Sequence, residues 1–71
     1  MTITPDQLAS ARAIADAADQ HGTLQAADML ALSNAGHIPM DPTLHTTHTI
    51  RSAWIAVGLD PDEASEALYA Q

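Results

Sequence analysis

Proline and glycine stop and restart this chain at positions that confine it to four short helical segments. Thr4-Pro5-Asp6-Gln7 places a cap residue, a proline at the first helical position and a glutamine where a capping box needs one. Gly58-Leu59-Asp60-Pro61-Asp62-Glu63 carries a second full set of signals: a glycine stop, an aspartate cap, a proline and an acidic first turn. Gly22 and Gly36 read as further helix stops. Pro39 and Pro42 cannot both lie inside a regular helix, so Gly36 to Pro42 forms the one long loop. The pattern predicts helices over 5–21, 24–35, 43–57 and 61–70 and no strand. The fold class is all-α, a bundle of four short helices in a single domain covering 1–71.

Helical spacing assigns the faces. Leu8, Ala11, Ile14, Ala15 and Ala18 form one apolar stripe on the first helix, with Ile3 and Leu8 placed for a hydrophobic staple. Arg12 and Asp16 are four apart on its polar side and can pair. On the second helix, capped by Thr23, Leu24, Ala27, Leu30 and Ala31 lie on one side and Met29 and Leu32 on another. A helix apolar over most of its circumference is central in the bundle or faces a second chain, so Met29 and Leu32 are candidate partner contacts. On the third, started by Asp41 with Pro42 or Thr43, Leu44, Ile50, Trp54, Ile55 and Val57 share a broad face, with Trp54 at the centre of the core. Arg51 projects into that apolar sector, where a guanidinium must snorkel, pair or meet a partner; Asp28 is its expected counter-ion. Ala64, Ala67 and Leu68 face inward on the last helix and Tyr69 points outward as a further contact residue.

Composition narrows the function classes. The chain has 71 residues, fifteen of them alanine, with no phenylalanine and no cysteine. Such a core removes little apolar surface and has no disulfide to supplement it, which leaves a metal or a partner for that task. Nine acidic residues against two arginines give a formal charge of −7, which opposes direct binding to nucleic acid or anionic membranes. The start Met1-Thr2-Ile3-Thr4 has neither a basic nor an apolar leader region, and no stretch approaches a membrane span, so the expected location is the cytoplasm. The Ala-, Asp- and Thr-rich, lysine-free usage suits a high-GC genome, an actinobacterium or its phage.

Histidine supplies the one chemically suggestive cluster. His45 and His48, three apart on the expected third helix, can reach one ion, with His37 or Asp41 as a further ligand; zinc or nickel is the metal to consider. The bland alternative places both rings at the boundary of the helix's apolar face. Four serines in ordinary helical contexts, with no cysteine, lysine or Gly-x-Ser-x-Gly elbow, give no support to an enzyme. Gln25 to Ser33 resembles the opening of an excisionase-like helix-turn-helix. A basic recognition helix should follow, whereas the chain enters Asn34-Ala35-Gly36 and two prolines, with no basic residue before Arg51.

These observations lead to the expectation of a protein–protein interaction module with a basic protein partner, such as an inhibitor or regulator of a nucleic-acid-handling protein from a phage or mobile element. The alternatives are a self-associating unit, a homodimer burying Met29, Leu32 and Tyr69, and a histidine-based metal-binding module.

Overall fold

The computed structural model describes residues 3–69, and these form a small all-α bundle with a two-stranded ladder at one edge. Helix α1 (Pro5–Ala17) starts on the expected capping box: Gln7 N–H donates to Thr4 Oγ1 at 3.1 Å and Thr4 N–H donates to Gln7 Oε1 at 2.9 Å. It ends short of residue 21. The Asp19 carboxylate accepts from the N–H groups of His21 at 2.7 Å and Thr23 at 3.1 Å, and Asp19 N–H donates to the Thr23 carbonyl at 3.0 Å. A short acidic side chain that satisfies nearby backbone donors competes with helix continuation.

That turn delivers the chain in extended form as β1 (Thr23–Leu24), which pairs antiparallel with β2 (His48–Thr49), Thr23 opposite Thr49 and Leu24 opposite His48. The ladder corrects the strand-free expectation, and it divides the helix expected over 43–57. That stretch is a 3₁₀ turn (Pro42–Leu44), a non-helical run, β2, and then α3 (Ile50–Ala56). Asp41 holds only the one turn, accepting from Thr43 N–H at 3.0 Å and Thr43 Oγ1 at 2.8 Å. The run Thr46-Thr47-His48-Thr49 favours extended backbone, since branching at Cβ restricts side-chain rotamers in a helix. Thr49 then starts α3 with a second capping box: Ser52 N–H donates to Thr49 Oγ1 at 3.1 Å and Thr49 N–H to Ser52 Oγ at 2.9 Å.

Helix α2 (Ala26–Asn34) begins later than residue 24, because the expected cap Thr23 lies in β1. Gln25 precedes it and donates its N–H to Asp28 Oδ2 at 2.9 Å, so Asp28 serves the helix start and is not the counter-ion of Arg51. Both α2 and α3 end in a glycine with positive φ, Gly36 at 84° and Gly58 at 85°. His37 N–H donates to the Leu32 carbonyl and Leu59 N–H to the Trp54 carbonyl, the six-to-one bond of a Schellman ending. Helix α4 (Pro61–Tyr69) uses Asp60 as expected, its Oδ1 accepting from Asp62 N–H at 2.9 Å and Glu63 N–H at 3.2 Å. Residue 70, the expected end of this helix, lies outside the described residues.

The core joins Ala11 and Ile14 of α1, Leu24 of β1, Met29 and Leu32 of α2, Ile38 of the loop after α2, Ala53 and Trp54 of α3, Leu59 of the loop after α3, and Ala64 and Leu68 of α4. Ile3 and Leu8 pack against it half-buried. Helix α1 contacts the other three helices, and Trp54 is buried beside it as the spacing predicts. Two assignments change. Met29 and Leu32, expected as partner contacts, are 0% and 6% exposed, and Ile55, expected in the core, is 61% exposed. With fifteen alanines and so few large apolar residues, the domain needs Met29 and Leu32 for its own interior. No helix among the described residues is long and apolar enough to cross a membrane.

Candidate functional site

The outside of the bundle is anionic. Asp6, Asp16, Asp19, Asp41, Asp60, Asp62 and Glu66 are exposed, and Asp28 and Glu63 are half-buried. Among the described residues one ion pair forms, Arg51 Nη2 to Asp62 Oδ1 at 3.1 Å, between side chains 60% and 85% exposed. Arg51 therefore leaves the apolar sector assigned to it: α3 starts at Ile50, so Leu44 belongs to no common helical projection with Arg51. Arg12 and Asp16, four apart on α1, form no pair. Two carboxyl groups have pKa values held below the ordinary one. Asp19 is lowered first by the Thr23 backbone N–H and then by that of His21, and Asp41 by the Thr43 backbone N–H and then its hydroxyl.

Among the described residues, four large apolar side chains remain in solvent: Leu30, Met40, Ile55 and Tyr69. Arg51 and Ile55 are four apart on α3, and Asp62, Glu66 and Tyr69 follow at spacings of four and three on α4, so each set lies on one exposed helical face. The Arg51–Asp62 bond joins the two faces. Arg51 and Tyr69, both expected as contact residues, thus belong to neighbouring faces of a helix pair, and Ile55 joins them. Its signal in the sequence is the spacing to Arg51. The Ser33 hydroxyl meets Met40 Sδ, and Leu30 precedes Ser33 by one helical turn on α2.

The three clustered histidines have different surroundings. His37 Nδ1 lies 3.3 Å from Ser10 Oγ; His48 lies 3.3 Å from Ser52 Oγ through Nδ1 and 3.3 Å from Thr46 Oγ1 through Nε2. His45 Nε2 is buried with no hydrogen-bond partner. Among the described residues no three His, Cys, Asp or Glu side chains converge on a point where they can hold a metal. The expected pairing of His45 with His48 needs helical backbone, and neither residue has it.

Among the depressions lined by described residues, two are of interest. An open one of about 430 Å³ follows the outer side of α1, lined by Pro5, Leu8, Ala9, Arg12, Ala13 and Asp16. A smaller cleft of about 180 Å³ brings together Asp6, Gln7 and Ser10 of α1, His37 after α2, and Val57 and Leu59 after α3. Ser10 and His37 are 27 positions apart, and no local pattern announces their meeting. Comparison with known protein families, curated proteins and solved structures finds no match to this chain.

Proposed function

We propose that this chain is a non-catalytic interaction module whose partner is a protein with a basic surface. The observation that carries the reading is the disposition of its charge: the carboxylates of Asp6, Asp16, Asp19, Asp41, Asp60, Asp62 and Glu66 face outward, and a single one is engaged by a cation among the described residues. Such a surface accelerates encounter with a basic partner and repels nucleic acid and other acidic proteins. Ile55 and Tyr69 are exposed apolar side chains on the helical faces that carry Arg51, Asp62 and Glu66, and aromatic and apolar side chains of this kind strengthen an interface beyond charge alone. The finer form of the reading is a cytoplasmic inhibitor or regulator, of phage or mobile-element type, that occupies the basic groove of a nucleic-acid-handling protein. Of the residues expected in a homodimer, Met29 and Leu32 already lie in the chain's own core, and Tyr69 alone is exposed for such a contact.

Affinity capture from an extract of the source organism, followed by mass spectrometry, tests the reading. A basic protein retained by the unaltered chain and lost with Ile55→Asp or Tyr69→Ala supports it. Retention of acidic proteins alone, or of nucleic acid, contradicts it.

A further inference from the structure

We propose that the cleft between α1 and the segments following α2 and α3 takes up the side chain of a lysine or arginine presented by the partner. The inference rests on the reading of the chain as a binder of basic surfaces and names the chemistry of one contact.

Three segments build the cleft, and their side chains divide by chemistry. Val57 is half-buried and Leu59 is 8% exposed, so together they offer an apolar wall. Asp6 contributes an exposed carboxylate that no cation engages among the described residues. Gln7 is occupied, its Oε1 accepting from Thr4 N–H within the capping box. Ser10 and His37 hold each other at 3.3 Å through Nδ1, which orients the ring and fixes the hydroxyl in the lining.

An occupant must match an apolar wall and a free carboxylate within about 180 Å³, room for one long side chain. A lysine or arginine meets both requirements: its methylene stem lies on Val57 and Leu59, and its charged head reaches Asp6 with Ser10 beside it. An anionic occupant is opposed by Asp6 and by the formal charge of −7. A neutral apolar occupant leaves the carboxylate to be desolvated without compensation.

The test is a nuclear magnetic resonance titration of the isotopically labelled full chain with Nα-acetyl-lysine methylamide, set against the norleucine analogue, which lacks the ammonium group. The lysine probe is expected to shift the signals of Ser10, His37 and Leu59 in a saturable way, with the norleucine probe markedly weaker. Asp6→Asn should weaken the lysine probe roughly fivefold, the upper end for a solvent-exposed ion pair. Asp16→Asn removes the same charge from the same helix outside the cleft and should leave the affinity unchanged. Equal response to norleucine overturns the assignment, as does equal weakening by Asp16→Asn, which marks diffuse attraction. The probe comparison on the unaltered chain decides the matter even if Asp6→Asn disturbs the helix start. If the lysine probe leaves the cleft untouched while a basic partner is still captured, the cleft assignment falls and the interaction reading stands.

Discussion

Trp54 donates its indole N–H to the carbonyl oxygen of Ala11, 3.2 Å away and 43 positions earlier in the chain. The bond fixes α3 against α1 at a point where both residues are buried, and it gives the indole's polar atom a partner inside the core. Trp54→Phe removes that bond and part of the ring, and should cost about 1–2 kcal/mol. Trp54→Ala leaves a cavity and should cost about 3–5 kcal/mol, enough to unfold a domain this small. Thermal melts followed by far-ultraviolet circular dichroism check both. Equal melting temperatures for the unaltered chain and Trp54→Phe would show that the bond contributes nothing.

Leu32 and Leu30 lie two positions apart on α2 and should respond in opposite ways. Leu32 is 6% exposed, so Leu32→Asp places a carboxylate in the core and should cost more than about 3 kcal/mol. Leu30 is 45% exposed, and Leu30→Asp should change stability by about 1 kcal/mol or less. Urea titrations of the two variants measure this. A folded Leu32→Asp variant would mean that α2 turns its other face to solvent.

The carboxylates of Asp19 and Asp41 are more acidic in the folded chain than the ordinary value of 3.8. A depressed folded-state value means that each ionised group stabilises the fold above 3.8, and that this contribution is lost as the pH falls through the lower folded-state values. Stability should therefore decline as the pH falls through and below the ordinary value of 3.8. Asp19→Asn removes one of the titrating groups and should flatten that decline, read as the urea midpoint against pH. An unchanged pH profile in Asp19→Asn would show that the turn at residues 19–23 does not depend on the charge.

The parts of this fold visible in the sequence are those fixed by neighbouring residues. Thr4 with Gln7, Asp60 with Pro61, and the glycines at 36 and 58 act over a few positions and mark the helix ends that the structure has. The parts that were not visible depend on distant partners. Thr23 reads locally as a cap, yet its strand exists because Thr49 lies opposite it. Once β2 forms, residues 43–49 leave the helix, and the projection that drew Arg51 among apolar residues and set His45 over His48 goes with them. Of the contact residues, Tyr69 follows from the stripe of α4, whereas Met29 and Leu32 are indistinguishable by spacing from residues meant for a partner. Only the shortage of large apolar side chains elsewhere assigns them inward. The cleft of Asp6, Ser10 and His37 is a product of tertiary packing.

The central claim is that the uncompensated acidic surface drives association with a basic protein. Isothermal titration calorimetry of the full chain with its captured partner, repeated from about 50 mM to about 500 mM salt, tests it most directly. Affinity that falls steeply across the series is the predicted result, since exposed charges are screened over that range. Affinity that stays constant from the lowest salt to the highest would contradict the claim and move the explanation to the apolar contacts of Ile55 and Tyr69.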